Sequence, residues 1–124
     1  MTAHVIYEEI DPNYIATVSP TVIQQVIRDE IGFGGILLSD DLSMKAMAGT
    51  YEERAKAALT AGCDLALHCN GDQQEMMSVA KGLQQIDTAK ERRLDLAWKL
   101  RQNNDIEWND TFDELTEIIS PYWS

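Results

Sequence analysis

Two adjacent carboxylates follow an apolar run. Gly35-Ile36-Leu37-Leu38 is uncharged and ends abruptly in Ser39-Asp40-Asp41. A carboxylate at such a boundary lies beside a low-dielectric interior at the mouth of a sheet, which suits a nucleophile or a general base. An aspartate there serves equally well as a cap that accepts backbone N–H groups of the next segment. Pattern alone does not choose between the two, because neighbouring strand residues face opposite ways and only one of them faces a site. His4 lies in an earlier apolar stretch, two residues after Thr2, and His68 adjoins Cys69. A strand histidine is more often a satisfied core residue than a ligand. Cys63 and Cys69 are spaced more widely than the usual zinc pairs and lack the remaining ligands. They read as small thiols in a reducing compartment. No metal and no cofactor is expected, since Gly32-x-Gly34-Gly35 precedes a strand instead of following one and fails the dinucleotide context.

The chain has 124 residues, with 10 Lys+Arg against 21 Asp+Glu and a net charge of −11. Such an acidic balance excludes a general nucleic-acid binder, which needs clustered positive charge. No apolar run approaches the roughly 20 residues that span a bilayer, so no membrane partner is expected. The N-terminus lacks a basic stretch followed by an apolar core, so no signal peptide is expected. The length suits one domain and falls short of the about 250 residues of a closed eight-unit α/β barrel.

The elements that position these residues follow from the apolar pattern. Ala3–Tyr7, Gly35–Ser39 and Asp64–Cys69 read as buried strands whose starts lie roughly 30 residues apart, with helical patterns between them, which predicts βαβ units and a parallel sheet. Ser19 caps a first helix with Pro20 at its first position, and Val22, Ile23, Val26 and Ile27 form its buried stripe. Gly32 and Gly34 end it. Thr50 and Glu53 have capping-box spacing for a second helix that stops at Gly62. Asp72 and Glu75 repeat that spacing ahead of a helix over about Gln73–Gln85. A further helix runs from near Asp87 to about Gln102, with Leu94, Leu96, Ala97 and Leu100 apolar. Residues 105–124 hold six acids and no base, with Phe112, Leu115, Ile118 and Ile119 at helical spacing. They read as an acidic amphipathic segment that docks on something. In parallel α/β folds ligands bind beyond the carboxyl ends of the strands. The candidate positions are Tyr7 onward, Asp40-Asp41, and His68-Cys69-Asn70.

The stretch Glu30-Ile-Gly-Phe-Gly-Gly-Ile-Leu-Leu-Ser-Asp-Asp-Leu-Ser-Met-Lys45 resembles glycoside hydrolase family 3, more narrowly the bacterial cytoplasmic β-N-acetylglucosaminidases (β-hexosaminidases) of peptidoglycan recycling. Ala3-His4-Val5-Ile6-Tyr7, Ala16-Thr17-Val18-Ser19-Pro20 and Ala61-Gly62-Cys63-Asp64 extend the likeness over about residues 1–100 in one register. The resemblance implies an α/β fold in which residues 1–104 form about the last third of a (β/α)8 TIM-like barrel, a parallel βαβαβα segment, followed by the C-terminal helical tail of residues 105–124. It implies Asp40 as the nucleophile of retaining hydrolysis at N-acetylglucosamine, with Asp41 supporting the loop. His4 matches a histidine at the end of the family's sixth strand and is a candidate substrate-binding residue.

In the family a His–Asp pair on a loop ahead of the sixth strand supplies the general acid/base. A Lys-His pair and an arginine from earlier in the barrel hold the sugar. This sequence contains no counterpart of them, and neither His4 nor His68 matches the acid/base motif. The resemblance therefore implies an enzyme fragment whose substrate is an N-acetylglucosamine-containing muropeptide and whose isolated form is inactive. The other reading is a non-catalytic α/β interaction module that self-associates or completes a partner barrel, since exposed sheet edges demand a partner.

Overall fold

The computed structural model describes residues 1–102 of the chain. The expected segment 105–124 lies outside the described residues. The molecule is α/β. Its regular elements are a helix at Thr21–Glu30, strand β1 (Leu38–Asp41), helix α1 (Tyr51–Ala61), strand β2 (Leu65–Leu67), helix α2 (Gln73–Lys81) and helix α3 (Thr88–Gln102). β1 and β2 pair in parallel with α1 as the crossover between them, which is the βαβ unit the apolar pattern predicts. Among the described residues no helix is long and apolar enough to cross a membrane.

The helix starts form where local chemistry dictates. The Ser19 hydroxyl accepts the Val22 N–H at 3.0 Å, and Val22 and Ile23 turn inward behind it. The Thr21–Glu30 helix is π-wound, and the Ile31 N–H reaches the Val26 carbonyl at its end. α1 carries the full capping box: Thr50 accepts from the Glu53 N–H, and the Glu53 carboxylate accepts from the Thr50 N–H at 2.8 Å. Thr50→Ala is expected to cost about 1 kcal/mol, read as a lowered urea midpoint with unchanged slope. α1 ends at Gly62, whose φ of 119° favours glycine. A Cβ there would also lie 2.8 Å from the Ile23 side chain, so the same glycine lets the Thr21–Glu30 helix close on α1. Ile23, Leu37, Leu42, Ala55, Ala58 and Cys63 make the buried core between these elements. Each large apolar side chain there contributes about 1.5–3 kcal/mol.

Three expectations need correction. Ala3–Tyr7 is not a strand. The Thr2 N–H reaches the Leu38 carbonyl at 2.9 Å, but beyond that the segment is tied to β1 by the side chains of Thr2 and His4, which take the place of a backbone ladder. The second strand sits further along than Gly35–Ser39, so Asp40 and Asp41 lie within β1 instead of after it. α2 stops at Lys81 and not near Gln85, because Gly82 ends it, packed where any Cβ would collide with the Glu52 carbonyl of α1. In α3, the apolar Leu96 and Leu100 are more than half exposed.

Candidate active site

The β1–β2 register fixes the geometry of the two aspartates. Leu38 pairs with Leu65 and Asp41 with Leu67, so three residue steps on β1 oppose two on β2. The extra residue is a bulge, a device that bends a strand and re-aims a side chain. Ser39 makes it possible. Its buried hydroxyl accepts the Leu67 N–H at 2.8 Å in place of a ladder carbonyl and donates to the Asp40 carbonyl at 2.8 Å. The ladder resumes at once, with the Leu42 N–H on the Leu67 carbonyl at 2.8 Å.

The bulge gives the two carboxylates different duties. Asp41 accepts the Ser43 N–H at 2.9 Å and the Cys69 N–H at 3.1 Å through Oδ1, and the Ser43 hydroxyl at 2.6 Å through Oδ2. Burial pushes its carboxyl upward, but the Ser43 hydroxyl and the two backbone N–H groups outweigh it, with a smaller contribution from His68. The result lies below the ordinary value. A carboxyl with a lowered folded pKa stabilises the fold above its unfolded pKa, and that contribution is lost as pH falls through the folded value. Ser43→Ala is therefore expected to raise the Asp41 carboxyl pKa towards the ordinary value and to shift acid unfolding to higher pH, as read by carboxyl carbon NMR. Asp40 is different. Its Oδ1 accepts the Asp41 N–H at 2.8 Å, and among the described residues no hydrogen bond reaches its Oδ2. The side chain is half-buried. One aspartate is a loop clamp and its neighbour keeps a free carboxylate oxygen.

Arg54 of α1 secures the loop after the bulge. Its guanidinium donates to the carbonyls of Leu42 at 2.7 Å, Met44 at 3.2 Å and Gly49 at 3.0 Å, and lies 5.2 Å over the Tyr51 ring. His4 uses both ring nitrogens within the chain, Nδ1 with the Thr17 hydroxyl and Nε2 with the Asp41 carbonyl, each at 2.9 Å. His68, just after β2, packs its ring edge-on to Tyr51 at 5.2 Å with Nε2 3.5 Å from Glu75, and among the described residues neither of its nitrogens makes a hydrogen bond. Glu75 also accepts from the Asn70 amide at 2.8 Å.

The cysteines do not act as a pair. Cys63 is buried in the core, where desolvation pushes its thiol up to about 11, whereas Cys69 is exposed beside Asp41. Among the described residues no group of three or more His, Cys, Asp or Glu side chains is placed to hold a metal ion. Tyr7 lies at an exposed turn, its carbonyl accepting the Asp11 N–H at 2.8 Å, away from the Asp40 cluster's hydrogen bonds.

The site thus gathers Asp40, Asp41 and His4, with Cys69 and His68 at its edge. Sequence reasoning missed Thr2, Thr17, Ser39 and Arg54. A signal existed for Thr2, which shares a face with His4 at the two-residue period of extended chain. None existed for Arg54, whose carbonyl partners lie 5 to 12 residues away with no side-chain pattern to mark them, or for Thr17, whose partners Thr2 and His4 lie 15 and 13 residues away.

Comparison with known proteins gives this geometry a family. Residues 1–98 match the glycosyl hydrolase family 3 N terminal domain. A beta-hexosaminidase of Shewanella frigidimarina is 53% identical over 72 residues, covering 56% of this chain and 21% of that protein. One from Actinobacillus pleuropneumoniae is 37% identical over 114 residues, covering 89% of this chain and 31% of that protein. Among solved structures, NagZ from Neisseria gonorrhoeae in complex with N-trifluoroacetyl-D-glucosamine is similar with a TM-score of 0.64 and 34% identity, over 77% of this chain and 27% of that one. The chain spans about a fifth to a third of the length of these relatives. Because the match takes in the Ser39-Asp40-Asp41 bulge, the capped α1 and β2 together, this chain belongs to glycosyl hydrolase family 3.

Proposed function

We propose that the chain is the nucleophile-bearing part of a retaining β-N-acetylglucosaminidase that removes terminal N-acetylglucosamine from muropeptides in cytoplasmic peptidoglycan recycling. In this reading residues 1–104 form about the last third of a TIM-like barrel and residues 105–124 are a separate acidic segment. The observation that carries it is the asymmetry of the bulge: Asp41 is fully engaged, while Asp40 keeps an oxygen for an incoming electrophile. Asp40 attacks the anomeric carbon and the aglycone oxygen leaves with a proton from a general acid. Water then cleaves the glycosyl ester, activated by the same group acting as base. That acid/base and the sugar-holding Lys, His and Arg come from segments preceding the sixth strand, supplied by the rest of the barrel, by a partner or by self-association. The exposure of Val5, Ile6, Tyr7, Ile10 and Tyr14 supports a covered face in the complete assembly, because such side chains are ordinarily buried against a neighbour.

The 124-residue chain alone is accordingly expected to show no turnover of 4-nitrophenyl N-acetyl-β-glucosaminide above the buffer rate. Loss of general acid–base help removes about 10²–10⁴ in rate, and loss of sugar positioning removes more. Turnover by the chain alone that disappears in Asp40→Ala would overturn the claim that the remainder of the site is needed.

A further inference from the structure

His4, Thr17 and Thr2 form one hydrogen-bond chain whose direction is set by chemistry. The Asp40 N–H can only donate, and it meets Thr2 Oγ1 at 3.2 Å. The Asp41 carbonyl can only accept, so His4 Nε2, 2.9 Å away, carries a proton. Between these ends, Thr2 Oγ1 lies 3.0 Å from Thr17 Oγ1, and Thr17 Oγ1 lies 2.9 Å from His4 Nδ1. Thr2 and Thr17 are both buried. One arrangement satisfies every proton: Asp40 N–H to Thr2, Thr2 O–H to Thr17, Thr17 O–H to His4 Nδ1, and His4 Nε2–H to the Asp41 carbonyl. If Nδ1 were also protonated, Thr17 would have to accept from it, and one threonine hydroxyl proton would be left buried without an acceptor. Such an orphan costs about 1–3 kcal/mol.

We propose that His4, Thr17 and Thr2 are positioning residues that clamp the Asp40–Asp41 dipeptide at both ends, with His4 held as the neutral Nε2–H tautomer. The role rests on the reading of Asp40 as the nucleophile, and it assigns His4 to the backbone behind the carboxylate instead of to a sugar hydroxyl. Three observations converge on it. The dipeptide sits in a bulge, where the regular ladder does not hold it. Its remaining backbone groups are also taken, the Asp40 carbonyl by Ser39 and the Asp41 N–H by Asp40 itself. The segment carrying Thr2 and His4 is not a strand, so apart from the Thr2 N–H on the Leu38 carbonyl these side chains are what joins it to β1. Pre-organisation of this kind matters because misplacement of a reacting atom by 1 Å costs about 10² in rate.

The test uses the unaltered chain first. Ring ¹⁵N shifts of His4 at pH 7.5 are expected to show a protonated Nε2 and an unprotonated, hydrogen-bonded Nδ1. Hydrogen exchange of the Asp40 amide is then compared with Thr2→Val and Thr17→Val, with Thr2→Ser and Thr17→Ser as the variants that restore the hydroxyl. Exchange is expected to be about tenfold faster in Thr2→Val, the scale of one lost hydrogen bond, and restored in Thr2→Ser. Thr17→Val is expected to release Nδ1, giving a mixture of tautomers that Thr17→Ser reverses. A protonated Nδ1 in the unaltered chain, or an Asp40 amide indifferent to Thr2→Val, overturns the proposal. None of these readings depends on turnover, so they stand or fall separately from the role of Asp40 as nucleophile.

Discussion

Alanine at position 40 is expected to lower kcat/KM for 4-nitrophenyl N-acetyl-β-glucosaminide by on the order of 10⁴-fold or more in a complete barrel containing this chain, the scale of losing a group that acts in the transition state. The neighbouring carboxylate offers no substitute. Asp41 holds three hydrogen bonds from Ser43 and Cys69, and withdrawing it from them would open the loop that Arg54 also staples. Asp41→Ala is therefore expected to act through the loop, with a smaller loss and a lower urea midpoint, whereas Asp40→Ala leaves the fold nearly unchanged. The variants also separate by rescue. With the Asp40 side chain removed, azide can enter the vacated space and attack the anomeric carbon from the same face, forming an α-glycosyl azide from an activated β-glycoside. Equal losses in both variants, with no azide product from Asp40→Ala, would place the nucleophile elsewhere.

Asp64→Ala is expected to be the most destabilising single truncation of the described residues, at about 3–5 kcal/mol. The Asp64 side chain is fully buried and forms ion pairs with Arg28 Nη2 at 2.8 Å and Arg93 Nη2 at 2.6 Å. It also accepts the Leu37 N–H at 2.8 Å. One carboxylate thus joins the Thr21–Glu30 helix, the approach to β1, the start of β2 and α3. Its removal leaves two guanidinium groups without their carboxylate, Arg28 keeping only the Phe33 and Gly35 carbonyls, and a buried N–H without a partner, and the loss falls on a domain stability of ordinarily about 5–15 kcal/mol. With a urea slope of about 1–3 kcal/mol/M, the midpoint should fall by about 2 M. A midpoint within about 0.5 M of the parent would show that the triad contributes little here.

Local chemistry was legible in the sequence. The caps by Ser19, Thr50 and Asp72 and the stop at Gly62 each rest on residues within four positions of their partners, and each is present. The α/β character and the parallel pairing of the segments around Leu38 and Leu65 followed from apolar runs separated by helical patterns. What escaped was long-range. The bulge depends on Ser39 meeting Leu67, the buried triad on Asp64 meeting Arg28 and Arg93, and the first segment on Thr2 and His4 meeting Thr17 and β1. Those partners are 13 to 38 residues apart, beyond any local period. The choice between Asp40 and Asp41 shows the difference most clearly. Strand alternation says that one of them faces a site, whereas the reason they differ is a hydroxyl on the preceding residue and a turn at Ser43.

The most direct test of the central claim is covalent trapping. A barrel completed with the preceding segments of a family 3 relative, and shown to hydrolyse the chromogenic N-acetylglucosaminide, is incubated with a 5-fluoro-N-acetylglucosaminyl fluoride, which forms the glycosyl ester quickly and hydrolyses it slowly. Proteolysis and peptide mass spectrometry then locate the sugar. The account predicts one added sugar, carried on Asp40. A sugar on Asp41 or on a residue outside Ser39–Asp41, or turnover of the reagent with inverted product and no adduct, would contradict it.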